Sequence, residues 1–471
     1  MYKGDLLFQR LLKYDFNLYR SSLDVPSYLD NHFKKYIKDI EEALAGNNPF
    51  IGVDFCSKVS DNLTLIRDIC NKIVEVGNIY RDGRIKDAYE TAYKLFSSIE
   101  PYFLSSFSWK KREGDYYRIR QGDFRIKPKE DSKQKKAELF HIKGNKRNLI
   151  GAYRYSIHGF PCLYLTSGFE LGWFESGMPK QFSYCRMNIE ETGENALRLI
   201  DISNRPMNLL PNIQMWVLNI KDDVDKRKNV YKYFMNYIIT YPLAAACSIK
   251  VKDRGEKFVE EYVIPQMLMH WIRENGGYDG IKYKSSLNTT LVEGMGAINV
   301  ALPVKKFRGD GLCESLTSKI SVSDIAYLDV NEDFKKYKQY LQDIEEFKNE
   351  LLNKRIRDNY CGGYALKLID ICQYINTTYY SIINGEYLNN VLLHQIDCIA
   401  DFISTIRENK NSIIEKNIDE VRGKYPKINE SELQNEISVD IDRFCELVRK
   451  VVYKHTAFSF SKEKLDNFEK I

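Results

Sequence analysis

The sequence lacks the short motifs typical of the commonest nucleotide hydrolases, dehydrogenases and proteases. It contains no GxxxxGK[ST] phosphate loop, no GxGxxG dinucleotide fingerprint, no HExxH zinc motif and no GxSxG nucleophile elbow. The six histidines show no metal-ligand spacing, and no two of the ten cysteines form a CxxC pair. We therefore predict no bound metal and no disulfide framework.

Long apolar runs are missing as well. No uninterrupted apolar segment approaches the roughly 18 residues of a membrane helix, and the first residues lack the apolar core of a signal peptide. The 70 basic and 65 acidic residues are interspersed and give a net charge of only +5, so composition does not indicate nucleic acid as a partner. We expect a soluble, cytoplasmic protein without a membrane anchor.

The chain is long enough for several domains, and its patterning changes twice. Helical spacing of apolar residues predicts an N-terminal helical region over 1–110, including a helix over 84–100, and a C-terminal helical bundle over 311–471, including a helix over 388–407. Between them, a helix over 258–274 and short apolar runs separated by Gly, Pro and Asn predict an α+β domain over 111–310. The runs taken as strands are YYRIR (116–120), CLYLTS (162–167), ALRLIDIS (196–203), MWVLNI (215–220), GIKYKSS (280–286) and AINVALPV (297–304).

Two arginines in the first of these strands are suited to binding phosphate. Arg118 and Arg120 are two residues apart, so their side chains project from the same face of a strand. A guanidinium group there matches the geometry of a diphosphate. The pattern alone is equally typical of an exposed strand face.

Two later blocks carry further polar candidates. In the segment from Arg154, a Gly-x-Pro turn precedes a strand containing Tyr164, and the next helix offers two rival acids, Glu170 and Glu175. The strand at 280–286 ends in Ser285 and Ser286, and Asn299 lies in the strand after it. Taken singly, these residues fit core, strand-end or solvated positions just as well.

The order of the three blocks resembles that of the RES domain, named for its Arg, Glu and Ser. The resemblance extends over about 116–304, roughly two fifths of the chain. Glu175 follows Tyr164 by 11 residues, the separation in the family pattern, whereas Glu170 lies too close. There are departures: Ala152-Tyr153-Arg154-Tyr155-Ser156 stands where many members have Gly-Gly-Arg-Trp-Asn, and the serine falls in a Lys-Ser-Ser sequence, so both serines remain candidates.

RES proteins are toxin-type enzymes that consume NAD⁺ or transfer its ADP-ribose to a protein, on a mixed β-sheet similar to that of the ADP-ribosyltransferases. The resemblance implies that this chain uses NAD⁺ as its substrate and needs no metal. It implies Glu175, Tyr164 and Arg118 as catalytic residues. It places the NAD⁺-binding residues at Arg118, Arg120, Arg154, Tyr164, Ser285, Ser286 and Asn299.

The biological role implied is depletion of NAD⁺ in a toxin–antitoxin pair or in antiviral abortive infection. Such a toxin needs a restraining antitoxin or regulatory protein, and the helical flanks serve regulation, homo-oligomerisation or simple support. Two alternatives stay open at this point. One is a protein ADP-ribosyltransferase, and the other is a catalytically silent RES-like scaffold that acts by binding a partner.

Overall fold

The computed structural model combines helices with one mixed β-sheet in an α+β fold. It describes residues 6–14, 16, 18–20, 23–46, 55–104, 113–125, 137–177, 179–190, 196–220, 223–251, 257–275, 277–286, 297–306, 311–329, 331–358, 363–383, 405–424 and 429–449. None of the helices in these ranges is long and apolar enough to cross a membrane.

Helices open the chain, as predicted. The Asp24 side chain accepts a hydrogen bond from the backbone N–H of Ser27, and this cap, followed by Pro26 in the first turn, sets the start of the second helix. The helix predicted at 84–100 is confirmed to within one residue at each end. The helices are α1 (Leu6–Leu11), α2 (Val25–Ala45), α3 (Phe55–Arg81) and α4 (Ile85–Ile99).

The sheet has the strand order β4-β5-β6-β2-β1-β3-β7, and β8 also pairs with β3. Neighbouring strands are antiparallel except for the parallel pair β4 and β5. The strands predicted at 116–120, 162–167, 280–286 and 297–304 are confirmed, and the run at 196–203 forms a strand at its centre. The strands are β1 (Glu113–Gln121), β2 (Cys162–Thr166), β3 (Gln181–Glu190), β4 (Leu199–Asp201), β5 (Gly280–Lys284), β6 (Ile298–Pro303), β7 (Ile320–Val322) and β8 (Ala326–Asp329).

One predicted strand is wrong. Residues 215–220 belong almost entirely to a helix, α6 (Pro206–Asn219), in which Ile213 and Val217 are buried while Met215 is 53% exposed. A short apolar run does not distinguish a buried strand from one turn of a buried helix. Here the buried residues Ile213 and Val217 are four positions apart, which is the spacing of a helix. The other helices of this part are α5 (Phe169–Glu175), α7 (Val224–Ala246), α8 (Val263–Glu274), which lies within the predicted 258–274, and α9 (Glu314–Thr317).

The N-terminal helices share one hydrophobic core with the middle of the chain. This core contains Tyr36 and Ile40 of α2, Phe234 and Ile238 of α7, and Ala301 of β6. The helical region therefore packs directly on α7, α8 and one face of the sheet. The boundaries drawn at 110 and 310 stay predictions.

The C-terminal helices pack against the other end of the sheet. A second core joins Phe182 and Tyr184 of β3 and Trp173 of α5 with Leu341 and Phe347 of the first C-terminal helix. These helices are α10 (Asn331–Asp358), α11 (Gly363–Ile383), α12 (Lys410–Lys424) and α13 (Glu430–Arg449). The helix predicted at 388–407 lies largely outside the described residues.

Candidate active site

Three of the predicted site residues meet at one carboxylate group. The Oε1 atom of Glu175, the last residue of α5, accepts a hydrogen bond from the Ser285 hydroxyl at 2.5 Å and another from the Asn299 side-chain amide at 2.7 Å. Along the chain, Ser285 and Asn299 lie 110 and 124 residues from Glu175. Both partners are buried, whereas Glu175 is exposed. The arrangement is a fixed carboxylate that faces solvent.

Strand register explains why Asn299 faces Glu175. In β6, Asn299 is opposite Thr166 of β2 on one side and opposite Tyr283 of β5 on the other. Residues directly opposite each other in adjacent strands place their side chains on the same face of the sheet. Ser285 is held at the end of β5 because its N–H donates to the carbonyl of Ala297 at 2.8 Å. Ala297 has a φ of 45°, and no other non-glycine residue in the described ranges has a positive φ.

Helix α5 is fixed closely against the sheet. Phe169 and Trp173, one turn apart, are both buried in the core shared with the C-terminal helices. Between them, Gly172 faces the strands, and a Cβ atom at this position would lie 2.7 Å from Thr166 Oγ1 and 3.2 Å from Ile119 Cδ1. The absence of a side chain at Gly172 therefore lets α5 approach β1 and β2 closely enough to place Glu175 beside Asn299.

Arg118 occupies the junction between β1 and β2. Its Nη1 atom donates to the Tyr164 carbonyl at 3.2 Å, while its Nε atom is buried and has no hydrogen-bond partner in the described part of the chain. Burial lowers the pKa of Arg118 from its usual value, and the neighbouring Arg120 lowers it further. A buried donor without a partner costs free energy. An anionic ligand is the kind of group that would satisfy it.

The structure places the other predicted phosphate ligands elsewhere. Arg120 hydrogen-bonds to the Glu138 carbonyl and lies 5.1 Å from the centre of the Phe124 ring. Arg154 is buried, and its two Nη atoms donate to the carbonyls of Cys247 at 3.0 Å and Ile249 at 2.7 Å, just beyond α7. Both guanidinium groups therefore hold the protein's own backbone in this structure, and their role in binding NAD⁺ stays a prediction.

The two serines differ in position. Ser285 is buried and bonded to Glu175, whereas Ser286 is half-buried one residue further from β5. The structure therefore favours Ser285 as the serine of the site.

Several tyrosine rings surround Tyr164. The Tyr164 hydroxyl donates to the Tyr155 carbonyl at 3.0 Å, and the Tyr164 ring meets the Tyr153 ring edge-on with 5.6 Å between their centres. The Tyr155 ring lies 4.3 Å from the Tyr283 ring. Burial raises the pKa of Tyr155, Tyr164 and Tyr283 well above the ordinary value. These phenols stay neutral, so they are suited to packing and hydrogen bonding and not to proton abstraction.

A basic residue adjoins the site at the end of β5. Lys284 precedes Ser285 and is half-buried. Burial, assisted by the nearby charges of Arg205 and Lys250, lowers the pKa of Lys284 to about 8. The positive potential of these three cations favours an anion near this end of the sheet.

Sequence reasoning did not select Tyr153, Tyr155, Tyr283 or Lys284. Tyr283 could have been predicted, because it lies two residues before Ser285 and alternation in a strand places the two side chains on one face. For Tyr153 the signal was its place beside Arg154, in a motif that many RES proteins build with glycine. Nothing local in the sequence reveals the positions of Tyr155 and Lys284.

Comparison with known proteins gives one similarity. Over 311 residues, 64% of this chain, the sequence is 28% identical to a protein of Bacillus subtilis (strain 168) named "Putative toxin YopC". The match covers 65% of the length of that protein, slightly less than two thirds. No family model matches the chain, and no solved structure matches it. The similarity is therefore to a protein named as a toxin, and it extends beyond the segment that resembles the RES domain.

Proposed function

We propose that this chain is a toxin-type enzyme of the RES kind that hydrolyses the nicotinamide–ribose bond of NAD⁺ in the cleft at Glu175. The observation that carries the proposal is the meeting of Glu175, Ser285 and Asn299 at 2.5 and 2.7 Å. Glu175 comes from the second block of the pattern on which the resemblance rests, and Ser285 and Asn299 come from the third. Similarity to a protein named as a toxin supports the same reading.

In this mechanism, the diphosphate of NAD⁺ binds Arg118. The buried Nε donor without a partner is the feature that favours an anion there. Tyr164, whose carbonyl already holds Arg118, lies against the nicotinamide ring, and the ribose that joins ring to diphosphate lies against Glu175.

Bond cleavage requires stabilisation of positive charge. As the C1′–N bond breaks, nicotinamide leaves as a neutral molecule with the bonding electron pair, and the ribose develops oxocarbenium character. The Glu175 carboxylate stabilises this charge, and the hydrogen bonds from Ser285 and Asn299 hold it in place before the reaction begins. Water then adds to C1′ and releases a proton, which gives ADP-ribose.

Water is the acceptor that the exposure of Glu175 favours, because a site open to solvent admits water without a partner protein. Transfer of ADP-ribose to a protein side chain is the alternative for the same cleft. The mixed, mostly antiparallel sheet with α5 beside it supports a fold of the ADP-ribosyltransferase-like class. A toxin of this kind requires an antitoxin in the cell that makes it, or a trigger such as viral infection.

Expression in a bacterial culture tests the proposal. Induction of the wild-type chain should deplete cellular NAD⁺ and stop growth, whereas Glu175→Gln should do neither, because removal of a transition-state charge partner typically costs about 10²- to 10³-fold in rate. Equal NAD⁺ levels in the two cultures, at equal soluble protein, would exclude the enzyme and leave the silent scaffold. Intact-mass analysis separates hydrolysis from transfer, because only transfer adds mass to a protein.

A further inference from the structure

An exposed aromatic residue lies beside Tyr164, one of the predicted site residues. Tyr153 is 55% exposed, and its ring meets the half-buried Tyr164 ring at a centre-to-centre distance of 5.6 Å and an angle of 65°. Single exposed aromatic residues are common on protein surfaces and need no function. Three further observations distinguish Tyr153 from such a residue.

The first observation is that hydrogen bonds fix the backbone of Tyr153. Its N–H donates to Ser156 Oγ at 2.8 Å, and its carbonyl accepts from the Ser156 N–H at 3.1 Å and from the Ser156 hydroxyl at 2.9 Å. Gln266 Nε2, from α8, donates to the same carbonyl at 3.0 Å. A ligand that packs on this side chain therefore has no backbone to order, which lowers the entropy cost of binding.

The second observation is the position of the Tyr153 ring. The Tyr153 ring folds back over Gly151, where a Cβ atom would lie 3.2 Å from both the Cζ and the hydroxyl oxygen of Tyr153. Glycine at this position therefore lets the ring occupy its place beside Tyr164.

The third is the neighbourhood of the phenol group. Tyr153 lies close enough to Arg118 to raise the pKa of that guanidinium, against the larger lowering effect of burial, and close enough to Tyr164 to raise the pKa of its phenol. The Tyr153 side chain thus contacts the Tyr164 ring and lies within electrostatic range of Arg118.

We propose that Tyr153 forms the solvent-side wall of the pocket for the nicotinamide ring and is a specificity-determining residue of this enzyme. Its ring covers the outer edge of the pocket whose inner side is Tyr164, so a planar ring linked to a diphosphate contacts both tyrosines while the phosphates reach Arg118. Because hydrogen bonds fix the backbone of Tyr153, rotation of its side chain alone admits the nicotinamide ring to the pocket. This inference rests on the proposed function.

Ligand binding to the full-length chain tests it, in a Glu175→Gln background that prevents turnover. Titration calorimetry measures the affinity for NAD⁺ and for ADP-ribose, which lacks the nicotinamide ring. Adding Tyr153→Ala should weaken NAD⁺ binding by about threefold to tenfold, the range of one aromatic contact. The affinity for ADP-ribose should change less than twofold.

Two further variants control the result. Tyr153→Phe keeps the ring and should bind NAD⁺ as tightly as the Glu175→Gln parent. Phe258→Ala removes an aromatic residue that is equally exposed, at 56%, and also packs on a tyrosine, Tyr80, in the N-terminal helical region. It should leave both affinities unchanged.

The outcomes separate the two proposals. Unchanged NAD⁺ affinity in Tyr153→Ala, or equal weakening of NAD⁺ and ADP-ribose, would overturn the role of Tyr153 while leaving the proposed function intact. If the parent variant bound neither ligand and the wild-type chain also failed to bind ADP-ribose, the proposed function would instead be overturned.

Discussion

Ser285 and Ser286 are chemically identical neighbours at the end of β5, and the structure bonds Ser285 to Glu175. A hydrogen bond to a charged group is worth about 1.5–3 kcal/mol. We therefore expect Ser285→Ala to lower kcat for NAD⁺ cleavage by about tenfold or more, and Ser286→Ala to change kcat less than twofold. Steady-state kinetics on the two purified variants checks this, and a larger loss for Ser286→Ala would reverse the assignment.

His32 makes the stability of the N-terminal helical region depend on pH. Its Nε2 atom lies 2.9 Å from the Tyr241 hydroxyl, and its ring packs among Tyr14, Tyr28 and Tyr241. Burial, with a smaller effect of Lys35, lowers the pKa of His32 from 6.5 to about 4. Between these pH values the unfolded chain binds a proton that the folded chain does not, so stability falls as pH decreases through this window.

We expect the loss to reach about 3 kcal/mol near pH 4, as an upper value from the size of the pKa shift. The check is urea unfolding of the wild type and His32→Gln at pH 7, 6 and 5. The variant should show a shallower decrease, whereas His158→Gln, at an exposed position, should follow the wild type. Parallel curves for His32→Gln and the wild type would contradict the prediction.

At the scale of single elements, the position of α5 depends on the space beside Gly172. Gly172→Ala improves intrinsic helix propensity by about 1 kcal/mol, but its Cβ would lie 2.7 Å from Thr166 Oγ1. We expect the substitution to displace α5 from β2, to move Glu175 away from Asn299 and to lower kcat by about tenfold or more, since small misplacements cost rate steeply. Kinetics and thermal unfolding check this together. A Gly172→Ala variant with raised melting temperature and full activity would show that the close approach is unnecessary.

Prediction from sequence succeeded where information is local. Helix α4 and strands β1, β2, β5 and β6 follow from apolar spacing and breaker residues. The order of three blocks also selected Glu175, Asn299 and the pair Ser285 and Ser286, and the structure brings Ser285 and Asn299 together at Glu175. Prediction from sequence did not reveal β3, whose apolar residues alternate with Ser, Arg and Asn. It also missed the helical state of 215–220.

Long-range contacts explain the remaining differences. Arg154 stands in the motif where the resemblance expects a ligand, yet it bonds to carbonyls 93 and 95 residues further along the chain. The Tyr153 carbonyl accepts a hydrogen bond from the side chain of Gln266, 113 residues further along the chain. Neither contact leaves a periodic trace in the sequence, because side-chain partners so far apart are set by the packing of whole elements.

At the scale of the whole molecule, the C-terminal helices and the sheet share one core. Leu341 of α10 is fully buried in this core, and burial of a leucine makes Leu341→Ala cost about 2–5 kcal/mol. We expect this variant to lower the urea midpoint of both the helical circular dichroism and the NAD⁺-cleaving activity, because the core that it damages also holds Trp173 of α5.

Val439→Ala on α13 is the matched control, because Val439 is 52% exposed and surface substitutions usually change stability by less than about 0.5 kcal/mol. If Leu341→Ala shifted the midpoint of circular dichroism and left the midpoint of activity unchanged, the C-terminal helices and the β-sheet would unfold independently.

Release of nicotinamide from NAD⁺ by the purified chain bears most directly on the role of Glu175. Chromatography of the reaction over time should show nicotinamide and ADP-ribose formed in equal amounts by the wild type. Glu175→Gln keeps the size and shape of the side chain, so the variant should stay folded, and it should release nicotinamide about 10²- to 10³-fold more slowly. A wild-type protein that releases no more nicotinamide than Glu175→Gln would contradict the assignment of this cleft as an NAD⁺-cleaving site.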